Sequence, residues 1–105
     1  MSYRVRLTRL AEQDLERLFD FVLQRELARA SGDFELADRA LRAIRDGLAT
    51  LASSPFTCRK VGSSPFLREL VIPFGRSGYV ALFEVTDAST VIVAAVRHQR
   101  EDDYH

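Results

Sequence analysis

The residues with the most chemistry to offer stand at the end of the chain. Arg97-His98-Gln99-Arg100-Glu101-Asp102-Asp103-Tyr104-His105 holds both histidines of the protein among arginines, carboxylates and a tyrosine. Metal-free RNA cleavage needs a base for the 2′-hydroxyl proton, an acid for the leaving oxygen and cations for the developing charge. His98 can act as acid or base, because an unperturbed imidazole titrates near neutrality. Arg68, Arg76, Arg97 and Arg100 can hold phosphate, and Tyr104 can assist. The same arginines also suit bidentate pairing with carboxylates at a protein interface. In that case Arg97, His98, Arg100 and Tyr104 face a target and nothing is cut. A polar cluster after a buried strand reads equally as a solvated chain end.

Other nucleophiles and ligands are sparse. Cys58 is the sole cysteine, so no internal disulfide forms, as expected in a reducing compartment. Arg59 and Lys60 beside it can lower its pKa, but no histidine stands near in sequence to act as its base. One thiol and two tail histidines do not make a ligand set, and neither metal nor other cofactor is expected.

Charge narrows the choice. Fifteen basic residues balance fifteen acidic ones, for a formal net charge of zero. A protein whose main work is gripping nucleic-acid phosphate carries a basic excess, so direct DNA binding by this chain alone is not expected. Among the fifteen, Lys60 is the only lysine. Arginine preference fits carboxylate recognition and fits a GC-rich genome equally well. The start, Met1-Ser2-Tyr3-Arg4-Val5-Arg6, is charged where a signal peptide needs an apolar run. No apolar stretch approaches the roughly 20 residues of a membrane span. The expectation is a cytoplasmic protein with no membrane partner. Its 105 residues, 47% hydrophobic, form one domain over 1–105 with a core of its own.

The elements that must position the tail are legible from periodicity. Residues 3–8 alternate, with Tyr3, Val5 and Leu7 on one face, as in a half-buried strand. Thr8 can cap a helix that Glu12 and Asp14 favour near its N-terminus. Ala11, Leu15, Leu18, Phe19 and Val22 recur at helical spacing to about Arg29. Phe21, Leu23 and Leu27 widen the apolar surface beyond one stripe. Ser31-Gly32-Asp33 breaks the pattern and offers a new cap. A second helix follows, with Ala37, Leu41, Ile44, Leu48 and Leu51 on one face, and Pro55 ends it near Ala52. Residues 53–65 are rich in Ser and Pro and read as a loop. Three strand-like runs follow at 67–72, closed by Pro73, at 79–85 and at 90–96. Short turns join them as an antiparallel meander. The last run, Val91-Ile92-Val93-Ala94-Ala95-Val96, is wholly apolar and reads as a central strand covered on both faces. The predicted fold is α+β, in the order β-α-α-β-β-β: a helix hairpin on a four-stranded antiparallel sheet.

In this order, four strings resemble the RelE/ParE toxin family of type II toxin–antitoxin systems. They are Leu10-Ala11-Glu12-Gln13-Asp14-Leu15, Leu67-Arg68-Glu69-Leu70, Ser77-Gly78-Tyr79-Val80-Ala81-Leu82-Phe83, and the stretch 91–104 around Val96-Arg97-His98-Gln99-Arg100-Glu101. The resemblance spans nearly the whole chain and implies a toxin silenced by a co-expressed antitoxin. The RelE-like branch cleaves messenger RNA in the ribosome; the ParE-like branch poisons DNA gyrase. Carried over residue by residue, the cationic places of the nuclease branch fall on Val71, Pro73, Val80 and Gln99, and its tyrosine place falls on or beside Tyr104. Most of the cationic set is therefore absent.

The resemblance thus implies a ParE-like protein that inhibits gyrase by binding and is neutralised by a ParD-like or similar antitoxin. The alternatives are a ribosome-dependent endoribonuclease and a non-toxic remnant that still binds its antitoxin. The antitoxin is expected to dock on Phe19, Phe21, Val22, Leu23 and Leu27, and an added strand at a sheet edge is a further mode.

Overall fold

The computed structural model describes residues 2–101. Strand β1 (Arg4–Leu7) leads into helix α1 (Arg9–Leu27), and α2 (Leu36–Ala49) returns beside it. Short 3-10 turns at Thr50–Ala52 and Pro55–Thr57 lead to β2 (Arg59–Val61), β3 (Ser64–Phe74), β4 (Ser77–Asp87) and β5 (Thr90–His98). The sheet has five strands in the order β1-β5-β4-β3-β2. No helix among the described residues is long and apolar enough to cross a membrane.

Several expectations need correction. The sheet is mixed, because β1 lies parallel to β5, with Val5 beside Val91 and Leu7 beside Val93. The fifth strand, β2, stands inside what reads as a loop, and pairs Arg59 with Glu69 and Lys60 with Arg68. Three residues, two of them basic, are too few to carry an alternating signal, and the direction of a distant pairing leaves no local trace. Pro73 also does not close its strand. It faces Gly78 beyond the reach of β2, where β3 is itself the sheet edge and proline is tolerated.

Both helices lie on one face of the sheet. From that side Ala11, Leu15, Leu18, Ala40, Ile44, Leu48 and Leu51 meet Ile72, Tyr79, Ala81, Phe83, Val91, Val93 and Val96 in one buried cluster. The opposite face has no helix. Ile92 and Ala94 on β5 are only half-buried there, so the central strand is fully covered on one face, not two. A register shift between Leu82 and Phe83 skips Ala94, and this bulge turns Val96 inward.

Thr8 caps α1 as its type predicts, accepting from the Ala11 N–H at 3.1 Å. Its hydroxyl also donates to the Ala94 carbonyl at 3.0 Å. Asp14, nearly fully buried, accepts the Val96 N–H at 2.9 Å. β1 runs alongside β5 only as far as Val93, so beyond it α1 satisfies the strand edge with side chains. An open edge invites pairing with other chains, and here polar groups from the helix occupy it.

The elbow between the helices is held by a buried carboxylate. Glu26 pairs with Arg29 at 3.2 Å and Arg25 at 3.4 Å, and accepts the Asp33 N–H at 3.0 Å. Asp33 accepts the Glu35 N–H at 3.0 Å and pairs with Arg39. It holds the turn before α2, whose N-cap residue is Glu35. The Asp33 N–H first, then Arg29 and Arg25, hold Glu26 below the usual carboxylate range against the opposing effect of burial. A depressed folded-state pKa contributes stability above the unfolded pKa that is lost as pH falls through the folded one. The expected result is a thermal midpoint that drops on acidification below the normal carboxylate range, with a shallower drop in Glu26→Gln. Equal slopes for both proteins would contradict it.

Candidate functional site

The far ends of β3, β4 and β5 bring the tail together with the hairpin turn. Across the strands, Ile72, Tyr79 and His98 form one row on the helix side. Val71, Val80 and Arg97 form the neighbouring row on the open side. Pro73 and Gly78 pair next, and the Gln99 N–H donates to the Gly78 carbonyl at 2.9 Å.

His98 is held on both ring nitrogens. Nδ1 accepts the Arg100 backbone N–H at 3.1 Å, and Nε2 lies 3.0 Å from Ser77 Oγ. An amide can only donate, so Nδ1 carries the lone pair and Nε2 carries the proton toward Ser77. Its ring stands edge-on to Tyr79 with centroids 5.5 Å apart. Burial first, and then Arg100, push the imidazole below its ordinary pKa. The ring is a neutral, fully engaged fastener. To act as a base it would have to release one of these bonds.

The chain then turns. The Glu101 N–H donates to the His98 carbonyl at 3.0 Å, and Glu101 Oε1 accepts the His98 N–H at 3.0 Å. The same carboxylate pairs with Arg17 of α1 at 3.2 Å. Arg97 donates to the Glu101 carbonyl at 2.6 Å and to the His98 carbonyl at 3.2 Å, and its other nitrogen lies 4.0 Å from Glu69. Glu69 also pairs with Arg59 at 2.9 Å. Arg97, expected to face a target or, in a nuclease, to hold phosphate, is engaged here at the root of the tail. Arg68 has a similar position. It donates to the carbonyls of Pro65, Phe56 and Cys58 and lies over the Phe56 ring at 5.1 Å. It closes the 53–65 segment at the opposite end of β3. The structure does not bring it together with His98. Arg100 stays exposed at the tip of the turn, and Tyr104 lies outside the described residues.

The four family places that lack cations converge on this part of the sheet. Val71 is 41% exposed and Val80 is buried, Pro73 and Gln99 are exposed, and rows on adjacent strands join them. A nuclease needs positive charge there to stabilise a pentavalent phosphate. At those four places this surface offers hydrocarbon and an amide, and Arg97 in the same row is turned onto backbone carbonyls. Cys58 gives no alternative, because burial raises its thiol pKa, with Thr57 and Arg68 only partly opposing. The flanking Arg59 and Lys60, expected to lower it, do not dominate.

The apolar residues expected to meet a partner divide into two groups. Val22 is 5% exposed and Phe19 and Leu23 are half-buried. Phe21 is 63% exposed and Leu27 51%. Arg25 lies close enough to the end of the sheet to weigh on His98 and Tyr79. The chain beyond it runs through the elbow, where Phe34 is exposed. Sequence reading found the tail and the wide apolar helix. It missed the roles of Asp14, Arg17 and Glu101 because side-chain caps on a strand edge have no sequence period.

A family model described as the ParE toxin of the type II toxin–antitoxin system parDE matches residues 5–103. The fold is similar to a solved chain of the chromosomal ParDE TA system from P. aeruginosa, with a TM-score of 0.67 and 19% identity. That match covers 92% of this chain and 96% of the other. Among curated proteins none matches significantly.

Proposed function

Because the chain belongs to the ParE toxin family of type II toxin–antitoxin systems, we propose that it inhibits DNA gyrase by binding and is silenced by a cognate antitoxin. One observation carries the choice of target. The places that hold cations in the ribonuclease branch are Val71, Pro73, Val80 and Gln99, and they share one surface of the sheet. Arg68 and Arg97 donate to backbone carbonyls, and Arg76 and Arg100 stand in the two turns beside those places, not at them. Without cations at those four places and with His98 neutral and tethered, the site suits recognition better than phosphodiester chemistry.

The test is induction of the protein in cells that lack the antitoxin. The expected outcome is a DNA-damage response and filamentation while labelled amino acids continue to be incorporated. Purified protein is expected to inhibit supercoiling by gyrase and to leave messenger RNA intact on translating ribosomes. A prompt stop in translation with messages cut at ribosomal A sites would overturn this function. Unimpaired growth would identify an antitoxin-binding remnant.

A further inference from the structure

Two cations at the tail end of the sheet have no task within the fold. Arg76 stands in the Gly75-Arg76 turn between β3 and β4, and Arg100 in the turn after β5. Both are exposed, and among the described residues neither guanidinium has a hydrogen-bond or ion-pair partner. Arg17, Arg25, Arg29, Arg39, Arg45 and Arg59 are all paired with carboxylates, while Arg4, Arg6, Arg9 and Arg42, exposed like Arg76 and Arg100, lie on β1 and the helices and not on these two turns.

The two turns are fastened to each other. Ser77 meets the His98 ring at 3.0 Å, and Gly78 accepts the Gln99 N–H at 2.9 Å. Glu101 closes the second turn from both its backbone and its carboxylate, and Arg17 and Arg97 neutralise and anchor it. The Glu101 carboxylate is thereby engaged by Arg17 and the His98 N–H. Rigid backbone beneath a long side chain lowers the ordering entropy of binding. Arginine on such a base is a frequent anchor of protein interfaces.

We infer that Arg76 and Arg100, carried on two hydrogen-bonded turns, form a carboxylate-reading contact for the toxin's protein target. The inference rests on the gyrase reading and adds the contact and its chemistry. Protein carboxylates are favoured over nucleic-acid phosphate because the chain has no net positive charge, whereas phosphate binding relies on basic excess.

The probe is DNA gyrase holoenzyme with the full chain as wild type, Arg76→Glu, Arg100→Glu and the double variant. Each single reversal is expected to weaken binding about tenfold or more, mainly through association rate. Wild-type binding should fall with added salt, and the double variant should lose most of that dependence. Melting temperature and antitoxin affinity should stay at wild-type values, since both side chains are exposed. Arg76→Ala and Arg100→Ala serve where a reversal disturbs folding. If wild type binds gyrase and the double variant binds equally well, the contact is wrong and the function stands. Wild type that fails to bind gyrase overturns the proposed function and this contact with it. Binding of wild type to duplex DNA that the double variant loses would make phosphate the ligand and overturn the carboxylate assignment.

Discussion

Replacing Gly32 with alanine is expected to lower the melting temperature by on the order of 10–20 °C, from a loss of about 3 kcal/mol. A Cβ built on Gly32 would stand 1.8 Å from the Glu26 carbonyl oxygen and 2.7 Å from its carbon. Both are backbone atoms of the last turn of α1, so no side chain can rotate away. The elbow would have to open, and opening it removes the Asp33 N–H from the Glu26 carboxylate. That leaves a buried charge with fewer partners, which adds to the steric loss. Gly62 is the control. Its φ is +69° with nothing within 4 Å of a built Cβ, so alanine there should cost only about 1 kcal/mol of backbone strain. Thermal unfolding of the two variants checks the contrast. Equal midpoints would mean that the elbow is loose and that Glu26 does not hold it.

Gly32 also shows what the sequence conveys and what it hides. Read along the chain, Ser31-Gly32-Asp33 is a helix breaker, and that is correct. The reason glycine is needed there lies in a contact across the elbow that no spacing rule reveals. The same division holds throughout. Leu15, Leu18, Ile44 and Leu48 announce their helices by period and are buried as expected. Thr8 announces its cap. Val91 and Val93 announce a central strand, but on its second face Ile92 and Ala94 stay half-buried. β2 was unreadable, since three residues held by Glu69 and Arg68 of the next strand have no pattern of their own. The tail was legible as a place and not as a mechanism. Arg97 and Arg100 look alike in sequence, yet one is sunk into carbonyls and the other faces solvent.

An antitoxin contact is expected on the exposed apolar side of α1. Phe21 and Leu27 are exposed there, and exposed apolar groups of that size gather at binding surfaces. Both should be anchors for an antitoxin segment that folds on contact. Phe21→Ser or Leu27→Ser removes one anchor, and burying such a side chain contributes about 1.5–3 kcal/mol, so affinity should fall tenfold or more for each. The two positions are separated by more than one and a half helical turns, so the pair should approach the product of the single losses. Melting temperature should barely change. Val22→Ser should behave oppositely. Val22 is buried between α1 and its neighbours, so serine there should lower stability by about 1–3 kcal/mol whether or not antitoxin is present. Titration with a cognate antitoxin, alongside thermal melts, separates the two behaviours. Unchanged affinity in the Phe21→Ser/Leu27→Ser variant would move the antitoxin away from the elbow, to the open face of the sheet or to the short edge strand β2.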